Sequence, residues 1–452
     1  MPECIPPQRL SFHPSQPVEV SFDAPRSSSD GGALLLRCLD ERDGWSRRLA
    51  DCLTERRQAG RIRHSLHEQV RQRLFQIALG YEDCNDANRL RRDPVLLTAC
   101  DRSPDDDEGL SSQPTLSRFE NRVGGRALRR LLRRFEGDYV ASLPEHTEQV
   151  VLDIDATHDP THGQQELAFF HGFYDERIYH PLLVFDGESG QLVTALLRPG
   201  RTHASRWARA VLRRLICQIK QRLPGVRILV RGDSHFAMPA ILDELERLDA
   251  ELGGVDYVLG LAQNPVLVRW AQRALEEARR ESERTGQSAR RFTEMRYGAK
   301  SWSRLRRIVV RAEHNRFWGA NPRFVVTSLD EEPDTVYHLY CQRGDCENRI
   351  KDFKNALAAD RLSCSRFRAN FFRLLLHAAA YRLLWALRQS AQLVSPRLGR
   401  AQFDTLRLRL LKIAALVRRS KRRIWIQLPR VFPEAEAFRR IATGLDPPGA
   451  LT

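Results

Sequence analysis

Lysine is scarce in this chain of 452 residues. Of its 73 basic side chains only six are Lys, at positions 220, 300, 351, 354, 412 and 421, and the others are Arg. A long apolar run is also missing. The nearest approach, Phe371 to Leu387, is broken by Arg373, His377 and Arg382, so no membrane span is expected. The N-terminus lacks a basic start followed by an apolar stretch, and no secretory leader is expected. The nine Cys, at 4, 38, 52, 84, 100, 217, 341, 346 and 364, are odd in number and scattered. That pattern predicts reduced thiols in a cytoplasmic protein. Gly (26) and Pro (23) are present in ordinary amounts, which excludes collagen-like and low-complexity chains.

What the chain does have is apolar bulk and positive charge. A hydrophobic fraction of 42% with 20 Phe excludes a wholly disordered chain. At about 150 residues per domain, the length suggests two or three domains. The net charge of +16 points to a polyanion, most often nucleic acid. The excess is concentrated. Residues 361–425 carry 16 basic side chains against one acid, Asp404, while the rest of the chain is close to neutral. Such a segment repels itself unless an anion covers it, and Arg418, Arg419, Lys421, Arg422 and Arg423 are its densest part. The plainer alternative is a solvated helical face, since Arg is a good helix former.

The pattern predicts four regions. Residues 1–32 read as a loose arm ending in Ser27-Ser28-Ser29-Asp30-Gly31-Gly32. Residues 33–145 read as helical, with apolar spacing at Leu66, Val70, Leu74, Ile77 and Ala78. Residues 146–360 alternate strand and helix after an antiparallel meander, which is α/β, with a less regular insertion at about 265–335. Residues 361–452 read as basic and helical, including the Arg-rich stretch Leu406–Arg423.

The chemistry-bearing residues are acids. Asp155 follows the apolar run Val150-Val151-Leu152, and Asp233 follows Ile228-Leu229-Val230, so both are expected at the ends of buried strands. A carboxylate there is costly unless it is solvated, paired or metal-bound. Asp153 shares a strand face with Asp155 and is the alternative first acid. A later helix is expected to align Arg343, Glu347, Lys351 and Lys354 in one polar stripe. By itself that stripe is also compatible with an exposed helix of paired charges.

The spacing Tyr340, two residues, Arg343, three residues, Glu347, six residues, Lys354 resembles the signature of one group of insertion-sequence DDE transposases. Asp155 in DIDATHD and Asp233 in VRGDSHFA are similar to that family's first and second acids. GYEDCNDANRLRRDP (80–94) and QPTLSRFEN (113–121) resemble a bacterial branch of it. The resemblance spans about residues 60–430. It implies a ribonuclease H-like (retroviral integrase-like) catalytic core with a mostly β insertion before the last acid. It implies that Asp155, Asp233 and Glu347 hold two Mg²⁺ ions roughly 3.5–4 Å apart, with Mn²⁺ able to substitute.

The same resemblance implies excision and integration at terminal inverted repeats, by phosphodiester hydrolysis and transesterification. Tyr340, Arg343 and Lys354, with Lys351 on the same stripe, are expected to contact DNA. Double-stranded DNA ends, target DNA and a second copy of the chain are the expected partners, on a bacterial nucleoid, with residues 33–145 as the candidate reader of the ends through Arg126, Arg129, Arg130, Arg133 and Arg134 and residues 361–452 for DNA contact and dimerisation. In relatives that form a hairpin end, a base is flipped, and Trp302 or Trp318 is a candidate to stack on it. His158 and His235 are candidates to line the site. A nuclease of the same fold, or an inactive DNA-binding relative, is the alternative.

Overall fold

The computed structural model describes residues 6–315 and 317–445. It divides into two compact units, Met1–Phe119 with Leu383–Thr452, and Glu120–Arg382.

The second unit is built on an eight-stranded mixed sheet. Its strands are β1 (Gln149–Ala156), β2 (Leu182–Asp186), β3 (Leu192–Leu196), β4 (Arg227–Gly232), β5 (Val255–Leu261), β6 (Ala289–Tyr297), β7 (Arg306–Asn315) and β8 (Gly319–Thr327). Their order across the sheet is β6-β7-β8-β5-β4-β1-β2-β3. β1, β4 and β5 run parallel. β2 and β3 extend them antiparallel on one side, and β8, β7 and β6 on the other. The expected insertion is therefore a long helix plus three strands that continue the same sheet. A separate small sheet, Asp159–Pro160, Phe169–His171 and Glu176–Tyr179, lies in the chain between β1 and β2.

Alternation along the strands sorts the side chains onto two faces. Leu152, Ile154, Ile228, Val230, Tyr257 and Leu259 join one apolar cluster. Helices α1 (Gly125–Ser142), α2 (Ala208–Arg222), α3 (Pro239–Leu252) and α4 (Pro265–Thr285) contribute to that cluster. Val151, Leu229 and Val258 face the other way, where Val336 and Tyr337 of helix α5 (Pro333–Cys341) cover them. Local signals set the helix ends. Asn264 accepts from the backbone N–H groups of Val266 and Leu267 ahead of Pro265, and Gly286 at φ +70° closes α4. Residues 120–145, grouped by sequence with the preceding helices, belong here because α1 places Tyr139 and Val140 in the core of the sheet.

Helix α6 (Gly344–Lys351) runs into a π-helical turn at Asp352–Ala356. Helix α7 (Phe367–Gln392) follows and contains the division between the units. Its polar interruptions, Arg373, His377 and Arg382, are buried. Arg382 donates to the carbonyls of Leu192 (2.8 Å), Val193 (2.9 Å) and Phe135 (2.8 Å). His377 Nδ1 lies 2.9 Å from the Leu357 carbonyl. No helix among the described residues is long and apolar enough to cross a membrane.

The first unit corrects two expectations. Residues 27–32 are not loose. Ser27 and Ser28 pair with Leu416 and Ala415, and buried Asp30 accepts from Lys412 Nζ at 2.7 Å and Tyr81 Oη at 2.8 Å. The Arg-rich stretch is not one helix either. Helix Phe403–Leu410 ends, and β9 (Ala415–Arg419) and β10 (Ile424–Gln427) form a hairpin. The apolar pattern there has period two: Val417 is buried and Leu416 exposed. That pattern and the β-branched residues outweigh the helix propensity of Arg.

Gly32 packs so closely that a Cβ would lie 2.0 Å from the Leu410 carbonyl oxygen. Gly32→Ala is expected to destabilise this unit by about 1–3 kcal/mol, read as a lowered Tm in calorimetry.

Candidate active site

The parallel pairing of β1 and β4 ends with Ile154 opposite Gly232. The next residues, Asp155 and Asp233, therefore emerge side by side from adjacent strand ends. Gly232 fits closely there: a Cβ would meet Ile154, Leu259 and Phe236 side chains at 3.0–3.2 Å. Asp233 caps the short turn Ser234–Phe236. Its Oδ1 accepts the His235 backbone N–H at 2.9 Å, and its Oδ2 lies 2.9 Å from His235 Nδ1.

Helix α6 brings the third acid. Arg343, at its start, donates Nη1 to Asp155 Oδ2 at 3.0 Å and lies 3.5 Å from Glu347 Oε1 through Nη2. One guanidinium thus links two of the three sequence-predicted acids. The Glu347 side chain is 60% exposed, while that of Asp155 is 13% exposed. Burial pushes the Asp155 carboxyl up to about 6. Arg343 opposes the rise, and the negative charges of Asp233 and Glu347 add to it. Asp155, Asp233 and Glu347 thus share one electrostatic environment. Among the described residues, though, no group of three or more His, Cys, Asp or Glu side chains is gathered closely enough to hold a metal ion.

Asp153 is different. It is fully buried, and Arg231 grips it with Nε at 2.7 Å and Nη2 at 2.9 Å. Arg349 Nη1 adds a contact at 3.3 Å and also donates to the carbonyls of Asp186 and Gly187. Sequence reasoning missed both arginines. Arg231 had a signal: it shares a strand face with Asp233 and falls opposite Asp153 in the parallel register. Arg349 had none, because its partners are distant in sequence.

The other candidates divide. The Tyr340 hydroxyl crosses over β5 where Gly260 leaves room, since a Cβ there would lie 2.7 Å from it. Lys354 Nζ donates to the His158 carbonyl at 2.6 Å and stands 3.7 Å from Asp360. Lys351 is exposed. His158 stacks on Tyr174 with ring centroids 4.1 Å apart. Burial raises the Tyr174 phenol, and the charges of Asp155 and Asp233 add to it, so Tyr174 is a neighbour of the acids that the sequence did not disclose. Trp302 packs against the core, with the Arg306 guanidinium 5.1 Å from its ring centre. Trp318 is 86% exposed in the β7–β8 turn. Arg418, Arg419, Lys421, Arg422 and Arg423 belong to the first unit, on the β9–β10 hairpin and its turn.

A mixed α/β unit with two aspartates at parallel strand ends and a glutamate helix beside them defines the class. Residues 11–448 match the family model described as transposase DDE domain group 1, and the chain belongs to that family. No curated protein matches it. Among solved structures it is similar to the cryo-EM structure of the piggyBac transposase synaptic complex with hairpin DNA. That similarity has 11% identity, covers 85% of this chain and 80% of that one, and has a TM-score of 0.46.

The two neighbouring aspartates should respond differently to removal. Asp153→Ala strands buried guanidinium groups and is expected to cost about 3–5 kcal/mol of unfolding free energy. Asp155→Ala removes a carboxyl whose charged form is already disfavoured and should change stability by under about 1 kcal/mol. Urea unfolding of both variants checks this.

Proposed function

We propose that the chain is a DNA transposase of the Tyr-Arg-Glu-Lys group, excising and integrating an insertion sequence at terminal inverted repeats. The observation that carries this reading is the linkage of Asp155 to Glu347 through Arg343, beside Asp233 at the adjacent strand end. The sheet order β3-β2-β1-β4-β5, with β1, β4 and β5 parallel, supports a ribonuclease H-like core. The working form is a homodimer on double-stranded DNA of a bacterial nucleoid.

The residues fit a divalent cation in chemistry. Asp155, Asp233 and Glu347 offer hard oxygen donors suited to Mg²⁺ or Mn²⁺, and the place between Asp155 and Glu347 already attracts a cationic group. When bound, two such ions would activate water or a 3′-hydroxyl and stabilise the leaving oxygen. The chain's own residues do the rest. Arg343 exchanges its carboxylates for a DNA phosphate, which its planar fork can hold in bidentate fashion. Tyr340 braces Arg343. Lys354 fixes the chain just beyond Asp155 by holding the His158 carbonyl. Asp153, gripped by Arg231 and Arg349, holds the strand in place, so Asp155 is the first acid. No side-chain nucleophile is required.

This reading carries four expected outcomes. A DNA fragment carrying the inverted repeats that flank the reading frame should be cut and its ends joined to target DNA. Asp155→Ala, Asp233→Ala and Glu347→Ala should each reduce both steps to background while DNA binding persists. Full activity in all three rejects the reading, and cutting without joining makes the protein a nuclease of the same fold. In the free protein, Arg343→Gln should tighten Mn²⁺ binding by about tenfold, or ~1.4 kcal/mol, measured by electron paramagnetic resonance. Neutralising Arg418, Arg419, Lys421, Arg422 and Arg423 should weaken DNA binding more than neutralising Arg129, Arg130, Arg133 and Arg134.

A further inference from the structure

The β9–β10 hairpin is more than a store of charge. Its register places Leu416 opposite Gln427 and Arg418 opposite Trp425, all on one face. The alternate face carries Val417, Ile426, Arg419 and Ile424. That second face is anchored by buried Val417 and by Arg419, which donates to Asp105 Oδ1 at 2.6 Å, while Ile424 at its outer end is 43% exposed. The first face is open, with Leu416 38% and Trp425 44% exposed and Arg418 and Gln427 exposed beside them.

The turn is preorganised. Ser420 N–H donates to the Arg423 carbonyl at 2.8 Å. Ser420 Oγ accepts from the backbone N–H groups of Arg422 and Arg423, both at 3.2 Å. Lys421, Arg422 and Arg423 project from it into solvent. Among the described residues none of these three side chains, nor that of Arg418, has an ion-pair partner.

We propose that the β9–β10 ribbon enters the major groove of double-stranded DNA, with Arg418 and Gln427 reading base edges and Lys421, Arg422 and Arg423 holding flanking phosphates. The inference rests on the DNA reading above and adds to it the mode of recognition. Ser27 and Ser28 add a third strand at Ala415 and Leu416, so the two-stranded part of the hairpin is its outer end from Arg418 to Trp425, and the major groove, about 12 Å wide, admits a ribbon of two strands. Arg and Gln are the side chains whose paired hydrogen-bonding groups match guanine and adenine edges there. Leu416 and Trp425 supply apolar contact for thymine methyl groups and sugars. A surface that only gripped phosphate would have no use for that apolar pair beside a Gln. A second copy of the chain is disfavoured as the occupant by four like charges around one turn.

The test uses the full chain. Preferred duplexes are selected from a randomised library, and affinities for a selected and a random duplex are measured by fluorescence anisotropy across salt concentrations. The triple variant Lys421→Ala, Arg422→Ala, Arg423→Ala should lower both affinities by the same factor and flatten the log–log salt slope by about 2–3 units. Arg418→Lys, which keeps the charge but loses the fork, and Gln427→Ala should each reduce the selected-to-random ratio by about tenfold. If that ratio is unchanged in both while the triple variant weakens binding, the ribbon grips phosphates only and the inference is overturned, with the DNA reading intact. If the triple variant leaves affinity and slope unchanged, the DNA role of the hairpin falls as well. Tighter binding of the chain to phosphatidylserine vesicles than to any selected duplex would also overturn it.

Discussion

The buried pair of Asp153 and Arg231 is the constraint on which the site depends. A lone carboxylate at the centre of a sheet would be too costly to keep ionised. Two parallel hydrogen bonds from Arg231 and a third from Arg349 offset that cost. Because Arg231 sits on β4 and Arg349 on α6, the same carboxylate fastens two strands and the helix that carries Glu347. Arg231 also donates to the Leu339 carbonyl and Gln342 Oε1, which ties in the end of α5 next to Arg343. The position of Arg343 relative to Asp155 is thus tied to the buried cluster of Asp153, Arg231 and Arg349.

This arrangement separates two duties that one strand face could have confused. Asp153 and Asp155 are two residues apart and point the same way. Burial is nearly complete for the first, and its oxygens are occupied by fixed cations. The second lies at the strand end, where its cationic partner Arg343 belongs to an α6 terminus and also serves a solvent-exposed glutamate. A fixed partner suits structure, and an exchangeable partner suits a site that must admit a ligand. Burial first, and then the negative charges of Asp233 and Glu347, push the Asp155 carboxyl up to about 6 against the opposing pull of Arg343.

Much of this was legible in the sequence, for identifiable reasons. Val150-Val151-Leu152 and Ile228-Leu229-Val230 are short apolar runs of β-branched character, so the strands and the acids at their ends could be read directly. The helix carrying Glu347 could be read from its polar stripe, although its last turn opens into a π-helical bend at Asp352–Ala356 that no periodicity signalled. What could not be read were pairings between distant residues. Nothing local to Ser27-Ser28 shows that Ala415 and Leu416 will make it a strand. Nothing local to Tyr174 shows that the small sheet will bring it to the acids. The basic hairpin reads as helix because Arg and Leu suit a helix individually, while the alternating burial of Ala415, Leu416 and Val417 emerges only against the element they pack on.

The positive charge changes meaning once its partners are known. The net of +15 in residues 361–425 suggested a broad electrostatic surface. Arg382 spends its charge on backbone carbonyls beneath the sheet edge, and Arg407 is buried against the Ala78 carbonyl. Arg397 and Arg409 share Glu434, Lys412 belongs to Asp30, and Arg419 to Asp105. Six of the 16 basic side chains in this segment are thereby structural cement, and counting residues overstates the field that a polyanion would meet. The cations left over are grouped, with Arg418, Lys421, Arg422 and Arg423 clustered at one hairpin. A diffuse field would favour any anion equally. Four cations without an ion-pair partner among the described residues, set around an exposed Trp and Gln on one hairpin, favour a ligand with both phosphates and hydrogen-bonding edges at fixed spacing, and a DNA groove is such a ligand.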